Sequence, residues 1–144
     1  MDSEPIRVGF ESIVQPKKMR MKEMIQEERV KVLNQRGIQK GKYVLYWMQA
    51  AQRTEYNHAL EYAISNGNEL RQPVTVFFGI TDHFPEANER HYAFMLEGLR
   101  EVKQSLEKRG IQMVLLHESP ERGVLRMSKR ASLVVVDRGY LRIQ

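Results

Sequence analysis

Four short runs of apolar residues, set apart by long connections, constrain this chain more than any other feature. Residues 43–48, 74–78, 111–116 and 132–136 are rich in β-branched and aromatic side chains and are too short for buried helices. Their hydrophobicity is continuous rather than alternating, the pattern of strands buried on both faces. The connections run to about 25, about 30 and about 15 residues, far beyond a hairpin loop and long enough for the crossovers that parallel strands require. In the second connection Tyr92, Met95, Leu99, Val102 and Leu106 fall on one face of a helix over residues 88–109, which Gly110 ends. Strands alternating with helices predict an α/β fold, a Rossmann-like parallel sheet with helices on both faces. A further helix is expected over 17–35, where Met21, Met24 or Ile25, Glu28 and Val32 are three or four apart. Gly37 and Gly41 would close it and lead into the first strand.

Composition limits the alternatives. At 144 residues and 42% apolar content the chain suits a single core. With no cysteine there is no disulfide, thiolate metal site or cysteine nucleophile, which fits a reducing cytoplasm. No apolar stretch approaches the roughly 18 residues of a membrane span, and the start lacks the order of a signal peptide. A soluble, cytoplasmic chain with no membrane contact is therefore expected. The net charge of +5 is concentrated in residues 17–42, which hold nine Lys or Arg and three Glu. No aromatics interleave with these charges, so a solvated basic arm is favoured over a phosphate-binding surface.

In a parallel sheet of this type, ligands bind outside the carboxyl ends of the strands, where the strand order reverses. The loops to search are therefore 48–53, 79–83, 117–120 and 137–140. They contain no P-loop, dinucleotide fingerprint or serine nucleophile elbow. His58, His83, His91 and His117 are scattered without helical i, i+4 spacing, so no metal site is expected. Gln49, Gln52 and Arg53 stand ahead of a helix start, where free N–H groups and the helix dipole favour an anionic or polar ligand. The competing reading is that they cap and hydrogen-bond within the fold. Arg53 is the strongest single candidate. Trp47 lies inside an apolar run and reads as core. No enzymatic chemistry is visible in these loops.

The stretch holding Tyr46, Trp47, Met48, Gln52, Arg53 and Asn57, in the pattern Y-W-M-x-x-x-Q-R-x-x-x-N, resembles the opening of class II cyclobutane pyrimidine dimer DNA photolyases. A second match in order includes Phe78, Gly79, Asp82, Pro85, Arg90, Tyr92 and Leu99, and a third includes Val136, Asp137, Gly139 and Tyr140. The likeness covers roughly residues 28–144 and leaves 1–27 as an irregular or partly helical leader.

The resemblance implies a five-stranded antenna domain, with four strands present here and the fifth missing by truncation. An all-helical FAD domain would follow, in which photoexcited reduced flavin donates an electron to a thymine dimer. It further implies that the helical FAD domain and damaged DNA are partners of the full-length protein, and that this chain alone is inactive in repair. The family's first domain can hold a deazaflavin-like antenna chromophore near the strand ends. The residues there are Met48, Gln49, Gln52, Arg53, Phe78, Gly79, Asp82 and Asp137, carried over as cofactor-pocket candidates, none of them catalytic. Asn57 and Arg53 also read as anchors of the first helix, and Asp137 as a cap of the next turn. Two other readings stand beside this one. The first is a free-standing α/β module holding a nucleotide- or flavin-like ligand without photochemistry. The second is a fragment that self-associates through an unpaired sheet edge.

Overall fold

The four apolar runs become four parallel strands in the computed structural model, which describes residues 25–82 and 87–139. The strands are β1 (Tyr43–Trp47), β2 (Val74–Ile80), β3 (Gln112–His117) and β4 (Ala131–Val136). Helices α1 (His58–Leu70), α2 (Glu89–Lys108) and α3 (Pro120–Ser128) connect them. The spatial order is β3-β2-β1-β4. The chain steps outward from β1 to β2 and β3, then returns through α3 to the other side of β1. The carboxyl ends of β1 and β4 therefore flank the point where strand order reverses. Tyr46 lies opposite both Val76 and Val135, and Trp47 opposite Phe77 and Val136, so β1 and β4 end level with one another while β2 runs on to Ile80.

The period-two alternation of β1 divides the core. Val44, Tyr46 and Met48 face Leu60 and Ala63 of α1 and Leu99, Val102 and Leu106 of α2. On the opposite face, Leu45 and Phe77 pack on Val124 of α3, with Tyr43, Trp47 and Met127 half-buried around them. Helices thus cover both faces, as the sequence predicts. The α3 side is the thinner layer, since its helix has nine residues and Val134 of the edge strand β4 stays 39% exposed.

The helix expected over 88–109 forms as α2. Its start is a reciprocal cap, in which Asn88 Oδ1 accepts from the His91 N–H at 3.2 Å and His91 Nδ1 accepts from the Asn88 N–H at 3.1 Å. The imidazole of His91 is thereby committed to the helix end.

The helix expected over 17–35 does not form across its described part. Residues 17–24 lie outside the described residues, and beyond them a single 3-10 turn, Glu27–Arg29, is followed by non-helical chain up to β1. That turn belongs to the unit Met1–Lys31, whereas the sheet and its helices form the unit Val32–Gln144. The physical reason is that the described part of this segment buries no side chain. Val32 and Leu33 are 79% and 72% exposed, and a short helix with no apolar face to bury is marginal in water. Gly41 does not cap a helix. A Cβ there would fall 2.5 Å from the Ala131 carbonyl carbon, and the Lys42 N–H donates to Arg130 O at 2.8 Å, so glycine lets the chain pass against the start of β4.

Among the described residues no cluster of His, Cys, Asp or Glu is arranged to hold a metal ion. Among them, too, no helix is long and apolar enough to cross a membrane.

Candidate functional site

The loop between β1 and α1 leaves the sheet at the reversal point and is held from several directions. The Met48 N–H still donates to Phe77 O in the sheet at 3.0 Å. Immediately beyond, the N–H groups of Gln49 and Ala51 donate to Oδ1 and Oδ2 of Asp137 at 2.9 and 2.6 Å. Asp137 follows β4, so one carboxylate bridges the ends of the two strands that meet at the reversal. The Arg53 N–H then turns back to Ala51 O at 2.9 Å. Further along, Arg109 of α2's C-terminal cap donates through Nη1 to Thr54 O at 3.2 Å and through Nη2 to Glu61 at 2.8 Å.

Asn57 closes the loop. It is the N-cap of α1, and its Oδ1 accepts from the Leu60 N–H at 3.0 Å. Its Nδ2 lies 3.0 Å from Tyr46 Oη, 3.1 Å from Ala51 O and 2.9 Å from Arg53 O, three acceptors around two hydrogens. Both Asn57 and Tyr46 are buried. Burial pushes the Tyr46 phenol well above the usual tyrosine range. The hydrogen bond with Asn57 opposes that shift, the negative charge of Asp137 adds to it, and the positive charge of Arg53 opposes it. The phenol therefore acts as a fixed neutral hydrogen-bonding group. Asp137 and Arg53 are near enough for both charges to act on it.

The β2–β3 side of the same rim is built differently. The side chains of Asp82 and His117, just past β2 and at the end of β3, meet at 2.8 Å between Oδ1 and Nε2, and both are largely exposed. Tyr92 of α2 donates its hydroxyl to Thr81 O at 2.7 Å and ties that helix to the end of β2.

The structure sorts the eight sequence candidates into three groups. Met48 and Phe78 are buried in the α1/α2-side core and support the rim from beneath. Gly79 is a packing position, because a Cβ there would lie 2.7 Å from Pro120 Cα at the start of α3. Gln49, Gln52, Arg53, Asp82 and Asp137 are at the rim. Of these, Gln49 and Asp137 are joined directly, while Gln52 Nε2 folds back on Gln49 O at 3.3 Å. Among the described residues the exposed Arg53 guanidinium makes no hydrogen bond or ion pair, so its charge is uncommitted there. His83 lies outside the described residues. Sequence reasoning missed His117 as the partner of Asp82, Arg109 as a holder of the loop, and Ala51, which contributes only backbone. The first was open to discovery, since parallel pairing of β2 with β3 sets Ile80 opposite His117. Among the described residues the β1–α1 side of the rim combines a braced loop, the uncommitted charge of Arg53 and the side-chain amides of Gln49 and Gln52.

Comparison with known proteins agrees with the fold. The family model described as DNA photolyase matches residues 44–144. The chain belongs to the DNA photolyase family, and its parallel sheet with flanking helices is the Rossmann-like N-terminal domain of that family. It is 51% identical over 122 residues to a deoxyribodipyrimidine photo-lyase of Methanothermobacter thermautotrophicus, covering 84% of this chain and 27% of that protein. Proteins of the same name from Arabidopsis thaliana and Potorous tridactylus are 38% and 39% identical over 73 and 77 residues, or 51% and 54% of this chain. The chain spans about a quarter of the archaeal relative's length, and 15% and 14% of the plant and marsupial ones.

Proposed function

We propose that these residues are the antenna-binding domain of a class II cyclobutane pyrimidine dimer photolyase, a cytoplasmic enzyme that repairs DNA in light. The class rests on the Y-W-M-x-x-x-Q-R-x-x-x-N pattern formed by Tyr46, Trp47, Met48, Gln52, Arg53 and Asn57. The antenna role rests on one observation above all, a braced loop at the strand-order reversal that presents an unpaired Arg53. The donor set suits a planar chromophore with polar edges such as a deazaflavin, since Arg53 can meet an anionic or carbonyl edge and the amides of Gln49 and Gln52 can meet others. Met48 and Phe78 act by filling the core under the loop. A bound antenna absorbs light and passes the excitation to a flavin. FAD, and the step that splits the dimer, are assigned to a helical domain of the whole enzyme. That domain and damaged DNA are the partners of the whole enzyme.

The test is spectroscopic. Purified protein mixed with a deazaflavin and passed through a desalting column should retain the blue-region absorbance of the ligand. The Arg53→Ala variant should lose at least tenfold in affinity while its melting temperature stays within about 2 °C, as for an exposed substitution. Wild-type protein that retains no chromophore would sink the antenna assignment.

A further inference from the structure

In doubly wound sheets the first strand's loop commonly turns backbone N–H groups toward the reversal crevice, where they hold an anion brought by the ligand. In this chain the same place is already taken. The Gln49 and Ala51 N–H groups converge on the two oxygens of one carboxylate, that of Asp137, at 2.9 and 2.6 Å. Two N–H donors meeting two oxygens, one each, is the geometry of bound carboxylate or phosphate, and it is short because the acceptor is charged. The Asp137 carboxylate does not cap α1, the helix after the loop, whose start at His58 is capped by Asn57. Its two acceptor contacts lie 88 and 86 residues away in sequence. Its position is set instead by the pairing of Trp47 with Val136.

We propose that the backbone of residues 49–51 is an anion site filled by the protein's own Asp137 carboxylate. Asp137 is then a positioning residue that latches the loop and closes the reversal crevice to phosphate. A ligand of this domain meets the loop with polar ring edges and a contact to Arg53, and carries no phosphate into the crevice. The inference does not depend on the antenna assignment, because the latch exists whatever ligand the loop receives.

The prediction is that Asp137→Ala empties the site and that small anions refill it. In thermal unfolding at constant ionic strength, exchanging chloride for formate or inorganic phosphate should raise the variant's melting temperature by about 2–4 °C more than it raises the wild type's. The near-isosteric Asp137→Asn should be destabilised but should not respond, because its amide still fills the space while facing one N–H with another donor. A merely structural role for Asp137 gives no anion-specific recovery in the alanine variant, and that result overturns the proposal. If the alanine variant does not fold, the wild-type protein decides. The amide resonances of Gln49 and Ala51 should stay in place as phosphate is added, and a saturable shift there would show the site open and the proposal wrong.

Discussion

The two sides of the carboxyl-end rim hold their loops by opposite means. On the β1–β4 side a carboxylate and a buried amide grip backbone groups, and a buried phenol holds the amide. On the β2–β3 side two exposed side chains, Asp82 and His117, pair in front of solvent. Each arrangement closes a gap between neighbouring strands, yet they differ in what replaces a lost partner. Asn57 is buried, so removing it orphans polar groups in the interior; at the exposed His117 solvent takes over. The first arrangement holds a loop from the interior, and the second is a pair that solvent screens.

This contrast can be broken by experiment. Asn57→Ala removes the α1 cap together with contacts to Tyr46, Ala51 and Arg53, and should cost about 2–3 kcal/mol in urea unfolding. A loss below about 1 kcal/mol would mean that the buried brace is no stronger than a surface pair. Tyr46→Phe should cost about 1 kcal/mol, since Asn57 keeps its loop carbonyls.

Tyr46 also sets an alkaline limit. Its pKa is raised in the folded state, so the stabilisation is complete below the ordinary tyrosine value of 10.0 and declines above it, where the unfolded chain ionises and the folded chain does not. Stability measured from pH 9 to pH 11 should fall less steeply in Tyr46→Phe than in the wild type, and identical slopes would remove Tyr46 from this account. The smallest effect is expected at the exposed pair. His117→Ala should change stability by no more than about 0.5 kcal/mol, and added salt should reduce even that. A loss as large as that of Asn57→Ala would erase the distinction between the two sides.

The strands were legible in the sequence because a run such as Val44, Leu45 and Tyr46 must be buried on both sides, and only a covered parallel sheet with long crossovers does this. Helix α2 was legible for a similar reason, its apolar positions recurring at one period. The stretch after residue 25 carried a helical period but leaves its side chains unburied, Val32 and Leu33 among them, which no local pattern reveals. At the site, Arg53 could be singled out by its place after a strand. Asp137 could be placed at the rim but not paired, because its partners are main-chain groups of Gln49 and Ala51, which no side-chain pattern marks. The register of β1 on β4 creates that contact, and register belongs to the folded sheet.

The latch also carries a consequence for the order of events in synthesis. Residues 49–51 leave the ribosome with β1, but the carboxylate that shapes them comes only after α1, β2, α2, β3, α3 and β4 have been made. Until then the Gln49 and Ala51 amides lack their acceptor, and the loop has only Asn57 and Arg109 to hold it. The strand that completes the described sheet is thus also the one that delivers the acceptor for the loop amides.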